Sequence, residues 1–308
     1  MSDASDDHVY LSLADGQEDG DAQWAFGTGF EDPLHGVDQS VRPGTDTAAL
    51  TACLLALGDD ALVGAQRLAQ WCTRAPELEE EVALANIGLD LLGQARLLYA
   101  RCGQVDGTGR SEDAYAYFRD PAEFRNVRLT ELPNGDFAFS VTRLLALSAW
   151  RLALFGQLAS AADPVLAAVA AKGVPELTYH RQFAAEWAIR LGDGTEESHR
   201  RMRAAVDAVA PWLDELFADG LFTGHPEFAV DMAAVREETE AVLRQVLTAA
   251  GLDRPEDRPA PDPMDPAPSG AEGGRPHGGG RTGEHTEHLA PLLAELQSVA
   301  RAHPEATW

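Results

Sequence analysis

Sulfur is scarce in this chain. Its 308 residues include three cysteines, an odd number without a Cys-x-x-Cys pair, which argues against a disulfide framework and a four-thiolate metal site. Cys53, Cys72 and Cys102 are widely spaced in helical sequence and read as reduced core thiols, so the expected compartment is the cytoplasm. Hydrophobic runs are short. No stretch of about 18 consecutive apolar residues occurs, and residues 1–7 hold neither a basic nor an apolar region, so neither a membrane span nor a signal peptide is expected. Positive charge is in short supply too. Against 24 Lys and Arg stand 50 Asp and Glu, a net charge of −26, which repels phosphate backbones and anionic lipid surfaces and argues against nucleic acid and membrane as partners. There is no His-Glu-x-x-His zinc motif and no dinucleotide fingerprint. Gly278-Gly279-Gly280-Arg281-Thr282 lacks the lysine of a phosphate-binding loop and follows no strand.

What remains is helical. Apolar residues make up 45% of the chain, enough for one large core. Residues 1–45, rich in Asp, Glu and Gly without a sustained period, read as an acidic, disordered tail. From Leu50 through Leu54, Leu57, Ala61 and Leu68, apolar residues recur at helical spacing and predict a first helix over 47–72. Pro76 and Glu77, Glu79, Glu80 and Glu81 suit the positive end of a second, running to about 102. Short turns carry Phe118-Arg119 and Phe124-Arg125, and Asn134-Gly135 turns into a third long helix over 137–161. A shorter helix from Pro164 is expected to stop at Pro175, where a fourth long helix runs to Leu191. Asp193-Gly194-Thr195-Glu196 fits the cap of the next, kinked at Pro211. Residues 226–250 read as a further helix, 253–283 as a Pro/Gly-rich linker, and 286–303 as a closing helix. The fold class is all-α, with residues 46–252 as the main domain and 284–308 packing on it.

The second helix poses the functional question. Asn86, Asp90 and Gln94 form a polar stripe at i, i+4 and i+8 among Val82, Leu84, Ile87, Leu89, Leu91, Leu92 and Leu98. A helix apolar on all sides is buried, and a buried polar group costs roughly 1–3 kcal/mol unless it is paired. The stripe is therefore expected to face His180 across the bundle, in a network of Asn86, Asp90, Gln94, Glu176 and His180. Inward carboxylates and histidines on facing helices are also how di-iron sites are built, with Glu-x-x-His as the half-site. Here the residue three before His180 is Leu177, which cannot ligate, and Gln94 stands where a histidine would complete the half-site of Asp90. Glu176 is turned about 100° from the needed position. Asp59 and Asp60 remain possible acids, but the third helix offers Ser148 and Gln157. Asp90, Gln94, Leu177 and His180 are thus ligand-like positions without a ligand set, and no metal, cofactor or catalytic residue is expected in this chain. His285-Thr286-Glu287-His288 holds two histidines beside a carboxylate and reads as an exposed helix start that caps or contacts a partner.

Several runs carry a resemblance. Leu57-Gly58-Asp59-Asp60-Ala61-Leu62, Ala85-Asn86-Ile87-Gly88-Leu89-Asp90-Leu91-Leu92-Gly93-Gln94, Tyr117-Phe118-Arg119-Asp120, Pro133-Asn134-Gly135-Asp136-Phe137, Leu191-Gly192-Asp193-Gly194-Thr195-Glu196 and the closing His285-Thr286-Glu287-His288-Leu289 resemble the C-type subunits of phenylacetyl-CoA oxygenase, the ring 1,2-epoxidase. The likeness spans about residues 48–250 and 275–308. Ser148 departs from it, standing where the family usually has an acidic residue, and so does Pro175, where a lysine is usual. The resemblance implies a ferritin-like bundle with additional C-terminal helices. It also implies a structural subunit paired with a homologous catalytic subunit that carries di-iron, with a small subunit and a reductase that uses NADPH, FAD and an iron–sulfur cluster. Two other readings stay open: a self-sufficient metalloenzyme using Asp59 or Asp60, Asp90, Glu176 and His180, and a helical interaction module unrelated to phenylacetate.

Overall fold

Six helices begin where a short polar side chain takes the first free backbone N–H groups: Asp46, Ser111, Asp136, Asp163, Thr195 and Asp231 each accept at a helix start. Such caps contribute about 1 kcal/mol each. The computed structural model describes residues 34–218, 220–222, 224, 225, 228, 230–253 and 279–306. Within them lie eight α-helices and no strand: α1 (Thr47–Ala69), α2 (Leu78–Val105), α3 (Glu112–Tyr117), α4 (Phe137–Leu158), α5 (Pro164–Gly192), α6 (Glu196–Val209), α7 (Met232–Ala249) and α8 (Leu289–Ala302).

α1 packs on α2 and α4 on α5; α2 meets α5, and α6 and α7 lie against α4. Two hairpins joined by a long crossover, residues 106–136, are the ferritin-like arrangement, and the fold is an all-α ferritin-like bundle. The core is aliphatic, with Leu54, Leu57, Ile87, Leu98, Leu154, Phe155 and Leu158 all but inaccessible. α1 and α4 are long and apolar enough to cross a bilayer by length and composition, yet most of each lies inside the bundle. That surface is already buried against protein.

The structure revises several sequence expectations. Pro175 does not divide the helix: α5 is continuous through it. Ala171, whose carbonyl loses its N–H partner there, and Pro175 are both exposed, so water can serve the orphaned oxygen. Pro211 does end α6, which tightens into a 3-10 stretch over Ala210–Phe217. Thr195, not Asp193, caps α6, in a reciprocal box with Ser198. α7 starts only at Met232, after the Asp231 cap. Cys72 is exposed in the turn after α1, so only Cys53 and Cys102 are core thiols.

The expected tail falls outside the described residues up to 33, but Gln39 and Ser40 accept from Arg101 through their carbonyls. Most of the expected linker, residues 254–278, also lies outside them. Its end does not behave as a linker. Gly279–Thr282 is docked on the crossover through Arg281 and the Arg125 carbonyl, and on the 3-10 stretch after α6, where Gly280 donates its N–H to Glu215 at 2.7 Å. A Cβ on Gly280 would stand 1.8 Å from the Asn126 carbonyl oxygen, backbone against backbone. Overpacking costs about 1–3 kcal/mol or more when the neighbour cannot move. Gly280→Ala is expected to release residues 279–306 while leaving α1–α7 folded, seen as proteolytic cleavage at the closing segment with little change in helix content. Unchanged protection of that segment would show that the backbone approach is dispensable.

Candidate functional site

Two adjacent carboxylates in the middle of an apolar helix organise the interior. Asp59 and Asp60 on α1 are both buried, and each is fully occupied. Asp59 accepts from the Tyr99 hydroxyl at 2.5 Å, from Arg119 Nη1 at 3.1 Å and from the backbone N–H of Arg125 at 2.7 Å, with Arg119 Nη2 also paired to it. Asp60 accepts from the Val127 N–H and from Arg281 Nη2, both at 2.8 Å. Arg281 donates its other nitrogen to the carbonyls of Ala56 and Arg125. Burial, then the Asp59 charge, raises the Tyr99 pKa well above the ordinary tyrosine range. Burial pulls on Arg119 in the opposite direction, but Asp59 and Tyr99 outweigh it and its pKa ends up raised.

The polar stripe of α2 is not a single inward face. Successive i, i+4 steps advance about 40° around a helix, so Asn86 is exposed, Asp90 half-buried and Gln94 buried. Asn86 therefore does not belong to the buried network, and α2 is not buried all round: Leu78, Val82 and Leu89 are exposed at 71, 51 and 63%. Asp90 Oδ2 lies 2.9 Å from His180 Nε2. Gln94 bridges two charged groups. Its Nε2 donates to Glu176 Oε2 at 2.9 Å and its Oε1 accepts from Arg151 Nε at 3.0 Å. Glu176 also pairs with Lys172, the only lysine in the chain. Leu177 is buried beside this group.

Arg151, about one turn after Ser148 on α4, reaches from there to both α1 and α2. Its Nη2 donates to the Leu57 carbonyl at 3.1 Å, and burial draws its pKa down to about 10 despite Asp60 nearby. The donor set does not fit two irons. Asp59 and Asp60 are held by arginines, Glu176 by Lys172 and Gln94, and Asp90 by His180, so each of these carboxylates already has a partner within the chain. Among the described residues, the ligand atoms of three or more His, Cys, Asp or Glu converge only at Glu77, Glu79 and Glu80, an acidic group at the start of α2.

The His285-Thr286-Glu287-His288 segment is not an exposed start awaiting a partner. It closes on Glu131, a buried carboxylate that accepts from His285 Nδ1 at 2.7 Å, from the N–H and hydroxyl of Thr286 at 2.7 and 2.6 Å, and from Asn126. His285 Nε2 meets the Phe124 carbonyl at 3.0 Å. Both ring nitrogens thus face oxygen atoms of the crossover. Sequence reasoning missed Tyr99, Arg119, Arg151 and Arg281 as partners. The available signal was the Asp59-Asp60 pair itself, since buried carboxylates require cations.

Removing one member of a buried pair costs about 3–5 kcal/mol, whereas an exposed pair is worth about 1 or less. Asp59→Asn is expected to lower unfolding stability by about 3–5 kcal/mol and Asp90→Asn, at a half-exposed site, by about 1 or less, both read from urea denaturation. Equal losses would mean that Asp59 is no better paired than Asp90. A second expectation concerns alkali. Burial pushes the Cys53 thiol up to about 12 from an ordinary 9, and Tyr99 is raised as well. Above about pH 9 the unfolded chain releases these protons while the folded chain keeps them, so stability falls as pH rises from 9 towards 12. The urea midpoint should decline over that range and decline less in Cys53→Ala/Tyr99→Phe. An equally steep decline in the double variant would assign the effect to other groups.

Residues 36–308 match the family described as phenylacetic acid catabolic protein. Over 262 residues the chain is 41% identical to the C-type subunit of 1,2-phenylacetyl-CoA epoxidase from Escherichia coli (strain K12), covering 84% of this chain and 99% of that one. The chain belongs to the phenylacetic acid catabolic protein family.

Proposed function

We propose that this chain is a structural, non-catalytic subunit of a multicomponent phenylacetyl-CoA epoxidase in aerobic phenylacetate catabolism, acting in the cytoplasm. The observation that carries this reading is the pairing of Asp59, Asp60, Asp90 and Glu176 with side chains of the chain itself. Among the described residues, that pairing leaves no set of carboxylates inside the bundle free to hold a metal. The Escherichia coli relative is itself called a subunit, which supports partner subunits here. In this proposal the di-iron centre sits in a homologous catalytic subunit, the assembly also holds a small subunit, and a reductase with FAD and an iron–sulfur cluster delivers electrons from NADPH. This chain binds none of these groups. Its role is to hold the catalytic partner in its active form.

The surface suited to that pairing is the outer side of α2 and α5, where Leu78, Val82, Leu89 and Tyr179 are exposed. Exposed apolar side chains of this size cluster at interfaces, and permanent pairs bury more than about 2,000 Å². The test is reconstitution. Catalytic subunit, reductase and NADPH should epoxidise phenylacetyl-CoA only when this chain is present. Asp90→Ala or His180→Ala should reduce turnover no more than it reduces complex stability. Loss of turnover with the complex and the partner's iron intact would assign this chain a direct catalytic part. Alone and loaded anaerobically with ferrous iron, the chain is expected to retain well under one iron after desalting. Stoichiometric retention of two, lost in Asp90→Ala, would overturn the structural reading. Val82→Asp/Leu89→Asp should weaken co-purification with the catalytic subunit at least tenfold without lowering this chain's own melting temperature, and undiminished capture would place the interface elsewhere.

A further inference from the structure

A cavity of about 40 Å³ lies between α1, α4 and α5, lined among others by Asp60, Arg143, Ser148, Trp150, Arg151 and His180. One water needs roughly 10–15 Å³ of such space, so the cavity takes a small ligand. Two of its lining side chains carry buried nitrogens with no hydrogen-bond partner: Trp150 Nε1 and Arg151 Nη1. Trp150 is 1% exposed and Arg151 4%. Both nitrogens can only donate, and leaving them unpaired costs roughly 1–3 kcal/mol each. Each needs an acceptor that no protein atom supplies.

Charge decides which acceptor. Arg151 donates only to neutral oxygens, those of Gln94 and Leu57. Arg143, 3% exposed, donates only to the Leu132 carbonyl and the Asn134 side-chain oxygen. Asp60, the carboxylate in the lining, already pairs with Arg281, and His180 faces Asp90. Two guanidinium groups are thus buried at one cavity without a directly bonded carboxylate, and burial lowers the pKa of each. We propose that this cavity is a binding site for a small monovalent anion of chloride size, held by Trp150 Nε1 and Arg151 Nη1. Asp60 and Glu176 offset part of the Arg151 charge, but a neutral water would satisfy the two donors without adding any charge opposite the two guanidinium groups.

The test uses the full chain. Crystals grown with bromide in place of chloride should show anomalous density in the cavity, in contact with both nitrogens. In solution, chloride should raise the melting temperature saturably by roughly 3 °C or more over gluconate at equal ionic strength, since a ligand bound only by the native state stabilises it. Gluconate is too large for the cavity. Arg151→Met should abolish the difference and Trp150→Phe should reduce it. If Arg151→Met fails to fold, the bromide density in the unaltered chain decides. No anomalous density in the cavity, or equal melting temperatures in the two salts, would overturn the proposal and leave water as the acceptor.

Discussion

The architecture turns on the cost of two adjacent carboxylates, Asp59 and Asp60, placed inside the apolar α1. A lone buried carboxylate is several kcal/mol out of balance, and neighbouring residues on one helix point in different directions. Two separate sets of partners are needed, and no single helix can supply them. The crossover provides one set through Arg119 and the Arg125 N–H. The Val127 N–H and Arg281, 221 positions away from Asp60, provide the other. The same pair of charges thus fixes both the path of residues 106–136 and the docking of the chain after residue 278.

That constraint gives the closing segment its place in the domain. Arg281 reaches Asp60, His285 and Thr286 reach Glu131, and Gln297 of α8 donates to the Ala116 and Arg119 carbonyls. All three attachments land on the crossover or on the carboxylates it covers. The crossover has little regular structure, with one short helix and two 3-10 turns, so its carbonyls need donors from elsewhere. α8 and the turn before it supply them. The closing segment is a second wall for the crossover.

The helical content and the order of the bundle were legible in the sequence because apolar periodicity and caps are local signals. α1 and α4 begin at Thr47 and Phe137 as read, whereas α2 begins at Leu78, beyond Pro76, with Glu79–Glu81 in its first turn. Asp90 beside His180 and Gln94 beside Glu176 follow from the need to pair inward polar groups. What was not legible depends on distance in the chain. Nothing in the Gly-rich stretch around Arg281 indicates that it is the counter-ion of Asp60, because arginine is ordinarily an exposed residue and the contact spans most of the sequence. Asn86 and the exposed Val82 and Leu89 were misread for another reason: apolar residues all round a helix signal burial, without saying whether one chain or two does the burying.

α2 itself presents both kinds of face. Its inner face, through Leu84, Ile87, Leu91, Ala95 and Leu98, is closed by this chain, while Leu78, Val82 and Leu89 remain exposed along an outer face. Asp90 sits at the edge between them, half-buried, with its partner His180 fully inside. A second bundle covering the outer face would take water from Asp90 and strengthen its bond to His180, since a pair in low dielectric is screened less. In the proposed pair that contact would contribute more than it does in the isolated chain. Under the proposed pairing, a residue at a ligand-like position would then lie in the seam between two bundles.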